Sequence, residues 1–468
     1  MGKGKQLIAN SILYAIGNFG SKILTFLVVP LYTYYIDTSD MGTYDVVITA
    51  VSLLAPIIVF SIYEGVYRWS VQDTKAAGRF IQYGWMVELR NLAVFSVLYL
   101  LAGMVIQIPY FEVTLLYIIV LCVHTYLARV TRALGNTKLF ALMGILYTVV
   151  YLGCNVLFIV ICHYGVVSFL WSGFLGYLCT AVIMIIVQQD IMHKGPSSER
   201  LDSGERRKIL QYSLAITPND ICWWIVGLSD RFALVAFLSA SANGIYSISQ
   251  KFPTIISMLT SIFYMAWQDQ SVSDYSSSEK DAYYTMVFEK YSRLLLCGSL
   301  CILPITKQII LLLMEASYHS AWQYVMPLYI GTVFSALSSF LGVGYLGSKE
   351  THKALYTTVL AAITNIGINL IFIPLFPQYG IFIASISTFV SYFVLFITRA
   401  IQTRQYFKIT YHWGEIAALV GTNIAMGIVM MYTSLIVDVI LTMIAVGIAV
   451  WLMRSELTAI ISKVLKKK

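Results

Sequence analysis

Gly135-Asn136-Thr137-Lys138, an apolar run ending in Asn155-Val156-Leu157-Phe158-Ile159, and then Tyr164-Gly165: this stretch decides how the chain is read, because it occurs twice. The second copy is Gly347-Ser348-Lys349, then Asn369-Leu370-Ile371-Phe372-Ile373, then Tyr379-Gly380. Each copy sets a Gly-polar-Lys turn before an apolar run, an Asn-x-x-Phe-Ile near the end of that run, and Tyr-Gly before the next. A second echo, Gly42-Thr43-Tyr44 and Gly244-Ile245-Tyr246, opens an apolar run near the start of each half. Two motifs repeated in the same order imply duplication. A period of about two hundred residues is far too long for a solenoid and suits a transporter built from two related helical bundles.

Composition places these bundles in a membrane. Of the 468 residues, 59% are hydrophobic and 12% charged, and the mean hydropathy is +0.76. A soluble domain carries about 25% charged residues. Apolar runs of ~20 residues recur along the whole length, enough to cross a ~30 Å hydrocarbon layer as helices. The first run, 8–35, is too long for a signal-peptide core and lacks a small-residue cleavage site, so it reads as a retained span. The seven cysteines (Cys122, Cys154, Cys162, Cys179, Cys222, Cys297, Cys301) all lie in apolar runs, without Cys-x-x-Cys spacing, and read as small packing residues. No phosphate-cradling glycine loop, metal constellation or nucleophile triad stands out, and no cofactor is implied.

The pattern predicts an all-α integral membrane protein of about fourteen spans. Six fall in the first half (10–35, 42–63, 80–108, 113–133, 138–162, 166–190) and six in the second (209–238, 243–267, 287–314, 321–346, 352–375, 380–403). Two more, 413–434 and 436–453, have no counterpart. The expected organisation is a six-helix bundle over 1–192, a polar connector over 193–208, a second six-helix bundle over 209–405, and two extra helices with a basic tail over 406–468. On this reading 26 of the 31 lysines and arginines fall in loops on one side, while the alternate loops carry Asp37, Asp40, Glu112, Glu315 and Asp438. The positive-inside rule then puts both termini in the cytoplasm. An even number of spans per half makes the repeat parallel, with two bundles facing each other across a central cavity.

The remaining cations are Lys22, Arg90, Arg231, Lys251 and Lys307, all inside apolar runs. Unpaired at mid-bilayer, each costs about 2.5–3.5 kcal/mol on insertion scales, so they are expected to face a wet interior. Only three intramembrane acids, Glu88, Asp220 and Asp230, stand against them. Glu88 and Arg90 are two apart and do not share a helix face. Asp230 and Arg231 are adjacent and cannot pair along one face. Snorkelling suits Lys251 and Lys307, nearer a span end; Lys22 and Arg90 have roughly 15 Å to climb at 1.5 Å per residue. A positive cavity inside a membrane favours an anion. The three acids are candidates for coupling, Asp220 because Pro218 can kink its helix and free carbonyls. His124 reads as a packed histidine, and the tyrosines and tryptophans near span ends as an interfacial belt.

At these residues the chain resembles a family. Asn18 through Pro30-Leu31-Tyr32, Met41-Gly42-Thr43-Tyr44 and Gly65-x-x-Arg68 resemble the opening of bacterial oligosaccharide-lipid flippases, the polysaccharide transport branch of the multidrug/oligosaccharidyl-lipid/polysaccharide superfamily. Asp230-Arg231, Gly244-Ile245-Tyr246 and Lys251 resemble that family's seventh and eighth spans. The resemblance covers about the first 400 residues. Fourteen spans depart from the twelve common in sugar-repeat flippases and resemble the count in lipid II flippases, whose added pair contributes to a groove for the lipid tail.

The resemblance implies a polyprenyl-pyrophosphate-linked oligosaccharide as substrate, moved to the outer leaflet of the bacterial cytoplasmic membrane by alternating access. It implies no nucleic-acid partner, and a polymerase and glycosyltransferases in the same pathway. An inside-negative potential assists an outgoing anion by about 2.3 kcal/mol per charge per 100 mV. Rival readings are a flippase for lipid II or another undecaprenyl-linked sugar, a cation-coupled multidrug exporter of the same superfamily, and an intramembrane polymerase or ligase. The excess of bases counts against the exporter, and outer loops too short for a catalytic lid count against the enzyme.

Overall fold

In the computed structural model, residues 26–193, 201–273, 280–348, 350–454 and 458 are described. Among them, eleven helices are long and apolar enough to cross a membrane. The chain divides by its internal packing into two compact units. One comprises residues 1–36 and 43–221, the other 37–42 and 222–468.

The first unit holds α1 (Thr38–Ile58, its first turn belonging to the other unit), α2 (Ile62–Gln72), α3 (Ala77–Gly103), α4 (Phe111–Ala133), α5 (Thr137–Asn155) and α6 (Val167–His193). Asn136 caps α5 by accepting from the Leu139 amide at 3.2 Å, after Gly135 at φ +73°. The Gly-Asn-Thr-Lys turn of the repeat is thus a helix start. After Asn155 the helix widens into a π-helical turn, Val156–Ile161, and Gly165 turns the chain at φ +64°. Helices α4 and α5 both pack on α6.

α7 (Ser203–Leu228) begins six residues before the expected span. Asp202 accepts from the Glu205 amide at 2.6 Å while Glu205 accepts from the Asp202 amide at 3.1 Å, a reciprocal cap that starts a helix inside the polar connector. The two units part within this helix, at Ile221–Cys222. Its first half packs on the first unit: a Cβ at Gly65 of α2 would meet Ser213 Oγ at 2.4 Å.

The second unit continues with α8 (Asp230–Phe237), α9 (Ala240–Lys251), α10 (Pro253–Ser273), α11 (Lys280–Leu313), α12 (Val325–Gly347), α13 (Thr351–Leu375), α14 (Gly380–Gln402), α15 (Trp413–Met430) and α16 (Leu435–Leu452). The expected spans 209–238 and 243–267 are each interrupted once, at Ser229 and at Phe252, the latter because Pro253 has no amide to donate. Of the expected first span, 10–35, only residues 26–35 are described, with a short helix at Val29–Thr33. α12 and α13 pack on α14. The two helices without a repeat counterpart, α15 and α16, pack on α11, where Ser299 Oγ donates to Asn423 Oδ1 at 3.0 Å. α16, at mean hydropathy 2.6, buries Asp438 and Ala445 and exposes Met443, Val450 and Trp451. Such an apolar outer surface belongs in hydrocarbon.

Candidate functional site

The most concentrated polar group among the described residues surrounds Asp230, at the start of α8. Its side chain is fully buried. Asn369 of α13 donates to Oδ1 at 2.5 Å. Tyr246 of α9 and Thr388 of α14 donate to Oδ2 at 2.6 and 2.5 Å, and Ser387 Oγ lies 3.3 Å from Oδ1. Gln250 donates to the Tyr246 hydroxyl at 2.7 Å, which commits the Tyr246 proton to Asp230. Asn369 also donates to Asn365 Oδ1 at 3.2 Å, and Ser229 donates to that oxygen at 2.9 Å. Four helices therefore converge on one carboxylate.

The asparagine of the repeated motif is buried in both copies. Asn155 donates to the Tyr151 carbonyl at 2.9 Å, and Asn369 to Asp230 and Asn365. In each the amide oxygen is buried without a hydrogen-bond partner. In the second unit that orphan acceptor joins the Asp230 carboxylate and the Thr388 hydroxyl. An interior with a buried carboxylate and an orphan amide oxygen is suited to a proton or a small cation.

The expected cationic residues are divided between the two units. Lys22 lies outside the described residues. Arg90, in the first unit, is exposed beside Met86, Val94 and Val97 and donates to Asn91 Oδ1 at 3.1 and 3.3 Å. In the second unit Arg231 is buried, donates to the Gly227 carbonyl at 3.2 Å and lies 5.8 Å from the Tyr246 ring. Lys251 is half-buried in the last turn of α9.

Lys307 requires a correction. Read from the sequence as substrate-facing, it forms an ion pair at 2.9 Å with Asp438 of α16, which the census of loop charges had counted in an outer loop. It also donates to the Met430 and Thr433 carbonyls at 2.6 and 2.9 Å and lies 4.5 Å from the Trp322 ring. The partner comes from a helix more than 120 residues away, which helical spacing along α11 cannot reveal.

The expected acids also part company. Glu88 is fully buried in α3 with neither carboxylate oxygen hydrogen-bonded, and it faces away from exposed Arg90, as their spacing requires. Asp220, in the first unit, lies within electrostatic reach of Glu64 and Arg129, which pair with each other at 2.6 Å. Helix α7 runs unbroken through Pro218 rather than opening there.

Sequence reasoning missed Arg399. Counted as a loop cation, it lies in the last turn of α14, 4% exposed, donating to the Ser338 carbonyl at 2.9 Å and to Thr357 Oγ1 at 3.2 Å, with the Trp223 ring 5.4 Å away. Its position inside the expected span 380–403 was the available signal. A first-unit group of arginines on aromatic rings was missed too: Arg68 over Tyr212 at 4.5 Å, Arg132 over Tyr67 at 5.5 Å and Arg206 over Tyr83 at 5.9 Å. Glu289, His412 and Glu415 approach one another closely enough to share a metal ion. Arg293 already bridges the two carboxylates, at 2.9 Å from Glu289 and 2.5 Å from Glu415, so a cation is in place there.

Residues 7–267, more than half of the chain, match the family described as polysaccharide biosynthesis protein. The chain belongs to that family. Among curated proteins none matches. The fold is similar to that of a structure titled lipid II flippase MurJ in an inward closed conformation, at TM-score 0.70 and 12% identity over 95% of this chain and 100% of that one. An outward-facing multidrug resistance MATE family transporter of the MOP superfamily is similar at TM-score 0.61 and 16% identity, over 89% and 97% of the two chains. A MOP superfamily transporter from Pyrococcus furiosus, whose title describes a binding pocket of reverse polarity, is similar at 0.54 and 14%, over 86% and 97%. This polysaccharide biosynthesis family member is therefore a multi-pass, all-α membrane protein with the fold shared by MurJ and the MATE transporters. The polysaccharide-related family expected from Gly42-Thr43-Tyr44 and Asp230-Arg231 is the one found.

Proposed function

We propose that the protein is a flippase, not an enzyme. It carries polyprenyl-pyrophosphate-linked oligosaccharide repeat units from the cytoplasmic to the outer leaflet of the bacterial cytoplasmic membrane, for surface polysaccharide assembly. The observation that carries this reading is the family match over residues 7–267 on a fold that a lipid II flippase also has. The orientation follows from the loop cations, with both termini cytoplasmic. Lys22, Arg90, Arg231 and Lys251 are assigned to the pyrophosphate, and Asp230 with its asparagine and hydroxyl donors to the coupling ion or proton. Glycosyltransferases and a polymerase supply and consume the substrate. The two repeated halves open alternately, and the membrane potential assists the outgoing anion.

The test neutralises Lys22→Ala and Arg231→Ala separately and measures surface polysaccharide export at matched protein level. Export falling at least tenfold in both supports the assignment; wild-type export in both removes it. A second reading, a cation-coupled exporter of the same superfamily, is favoured by the buried Asp230 carboxylate alone. It requires that deletion of the gene raise sensitivity to cationic drugs while surface polysaccharide is unchanged.

A further inference from the structure

The second unit contains a partly open cavity of about 220 Å³ between α10, α11 and α12 that none of the residues discussed so far explains. One wall is a stack of aromatic rings: Phe263 on Tyr291 at 4.0 Å, and Tyr291 near Phe340 at 6.0 Å. The rest is largely hydroxyls, and no Asp, Glu, Lys, Arg or His lines it.

Where those hydroxyl protons go decides what the cavity offers. Thr260 donates to the Ser257 carbonyl at 3.1 Å and Ser261 to the Met258 carbonyl at 2.7 Å. Thr332 donates to the Leu328 carbonyl at 2.9 Å and Ser339 to the Ser335 carbonyl at 3.0 Å. A hydroxyl has one proton and two lone pairs. With these four protons returned to their own helices, the serine and threonine oxygens present acceptors, beside the Tyr264 and Tyr291 hydroxyls of the wall. A fitting ligand therefore brings several O–H or N–H donors. It carries no charge: no carboxylate lines the cavity for a cation, and no lysine or arginine lines it for an anion. The volume holds about seven waters at about 30 Å³ each. It falls below the about 300–1,000 Å³ of drug-sized sites, which limits the occupant to about one ring.

The geometry points to a binding subsite for a single neutral sugar ring of the transported lipid, hydroxyls donating to Thr260, Ser261, Thr332 and Ser339 with the ring against the aromatic wall. This subsite rests on the flippase reading and adds to it: the pyrophosphate is held by cations, the sugar by an uncharged acceptor array within one unit. It selects for donor-rich sugars.

The full-length protein in nanodiscs is titrated with undecaprenyl pyrophosphate, bare or bearing one N-acetylhexosamine or one hexose. Two variants are compared with wild type: Thr332→Val/Ser339→Ala, which removes acceptors at nearly constant shape, and Ser261→Leu, which fills space from an exposed position. The affinity ratio, sugar-bearing over bare lipid, is expected to fall about tenfold in each. A ratio unchanged in both variants overturns the sugar subsite and leaves the flippase reading standing. Wild-type protein that binds neither lipid overturns both.

Discussion

Gly42 and Gly244 occupy equivalent places in the two sequence copies, and each is pressed against the backbone of the other's helix. A Cβ on Gly42 would come within 1.8 Å of the Ala240 carbonyl oxygen, and one on Gly244 within 1.8 Å of the Thr38 carbonyl oxygen. Thr38 precedes Gly42 by one helical turn, as Ala240 precedes Gly244, so the contact is reciprocal. Asn243 donates to the Gly42 carbonyl at 2.8 Å, and the Thr38 and Ser241 hydroxyls meet at 2.6 Å. All of these residues belong to the second unit.

Gly42→Ala and Gly244→Ala are expected to destabilise the protein by about 3 kcal/mol or more each, since the obstructing atoms are backbone and cannot swing aside. Thermal unfolding in detergent, with Gly144→Ala as control, checks this. No atom lies within 4 Å of a Cβ at Gly144, so that substitution is expected to be neutral or to stabilise by about 0.5–1 kcal/mol.

The Lys307–Asp438 pair is expected to behave as a buried ion pair rather than as substrate machinery. Lys307→Met alone leaves a buried carboxylate and costs about 3–5 kcal/mol. Lys307→Met/Asp438→Leu is expected to recover most of that loss, with polysaccharide export near wild type at matched protein level. A double variant as unstable as the single one contradicts the pairing.

Asp230→Ala removes the acceptor shared by Tyr246, Asn369 and Thr388, leaving the last two only their longer bonds to Asn365 and the Ala384 carbonyl. The expected cost is about 3 kcal/mol or more, at about 1–3 kcal/mol for each orphaned group with partial rearrangement. If Asp230 also holds the coupling ion, Asp230→Asn abolishes the dependence of transport on an ion or pH gradient in proteoliposomes. Unaltered gradient dependence removes Asp230 from coupling.

Glu88 is fully buried in an apolar part of the first unit, and neither of its oxygens is hydrogen-bonded. Glu88→Met is expected to stabilise by about 1–3 kcal/mol, the cost of an unsatisfied buried polar group. A rise in unfolding temperature without loss of export identifies Glu88 as a passive liability; a rise with loss of export identifies it as a proton carrier.

Much of the architecture follows from one-dimensional pattern. Recurrent apolar runs made a helical membrane protein the reading before any contact was known, because hydrocarbon admits backbone only when its hydrogen bonds close locally. The motif repeat singled out Asn155 and Asn369, and both are buried with an orphan amide oxygen. The charge count, however, could not separate a cation that awaits a ligand from one whose partner arrives from another helix. Lys307 found Asp438 131 residues downstream in chain order, and Asp230 drew its donors from α9, α13 and α14.

Chain order alone thus determined the solvent this protein lives in and the identity of its uncommon intramembrane charges, since those depend on hydropathy and local spacing. Which charges are satisfied, where two glycines let helices touch, and which way the hydroxyls of α10 and α12 hand their protons were decided only by tertiary packing. Ion pairing and hydrogen bonding act over about 3 Å in space, and separation along the chain carries no information about that distance once the helices have folded back on one another.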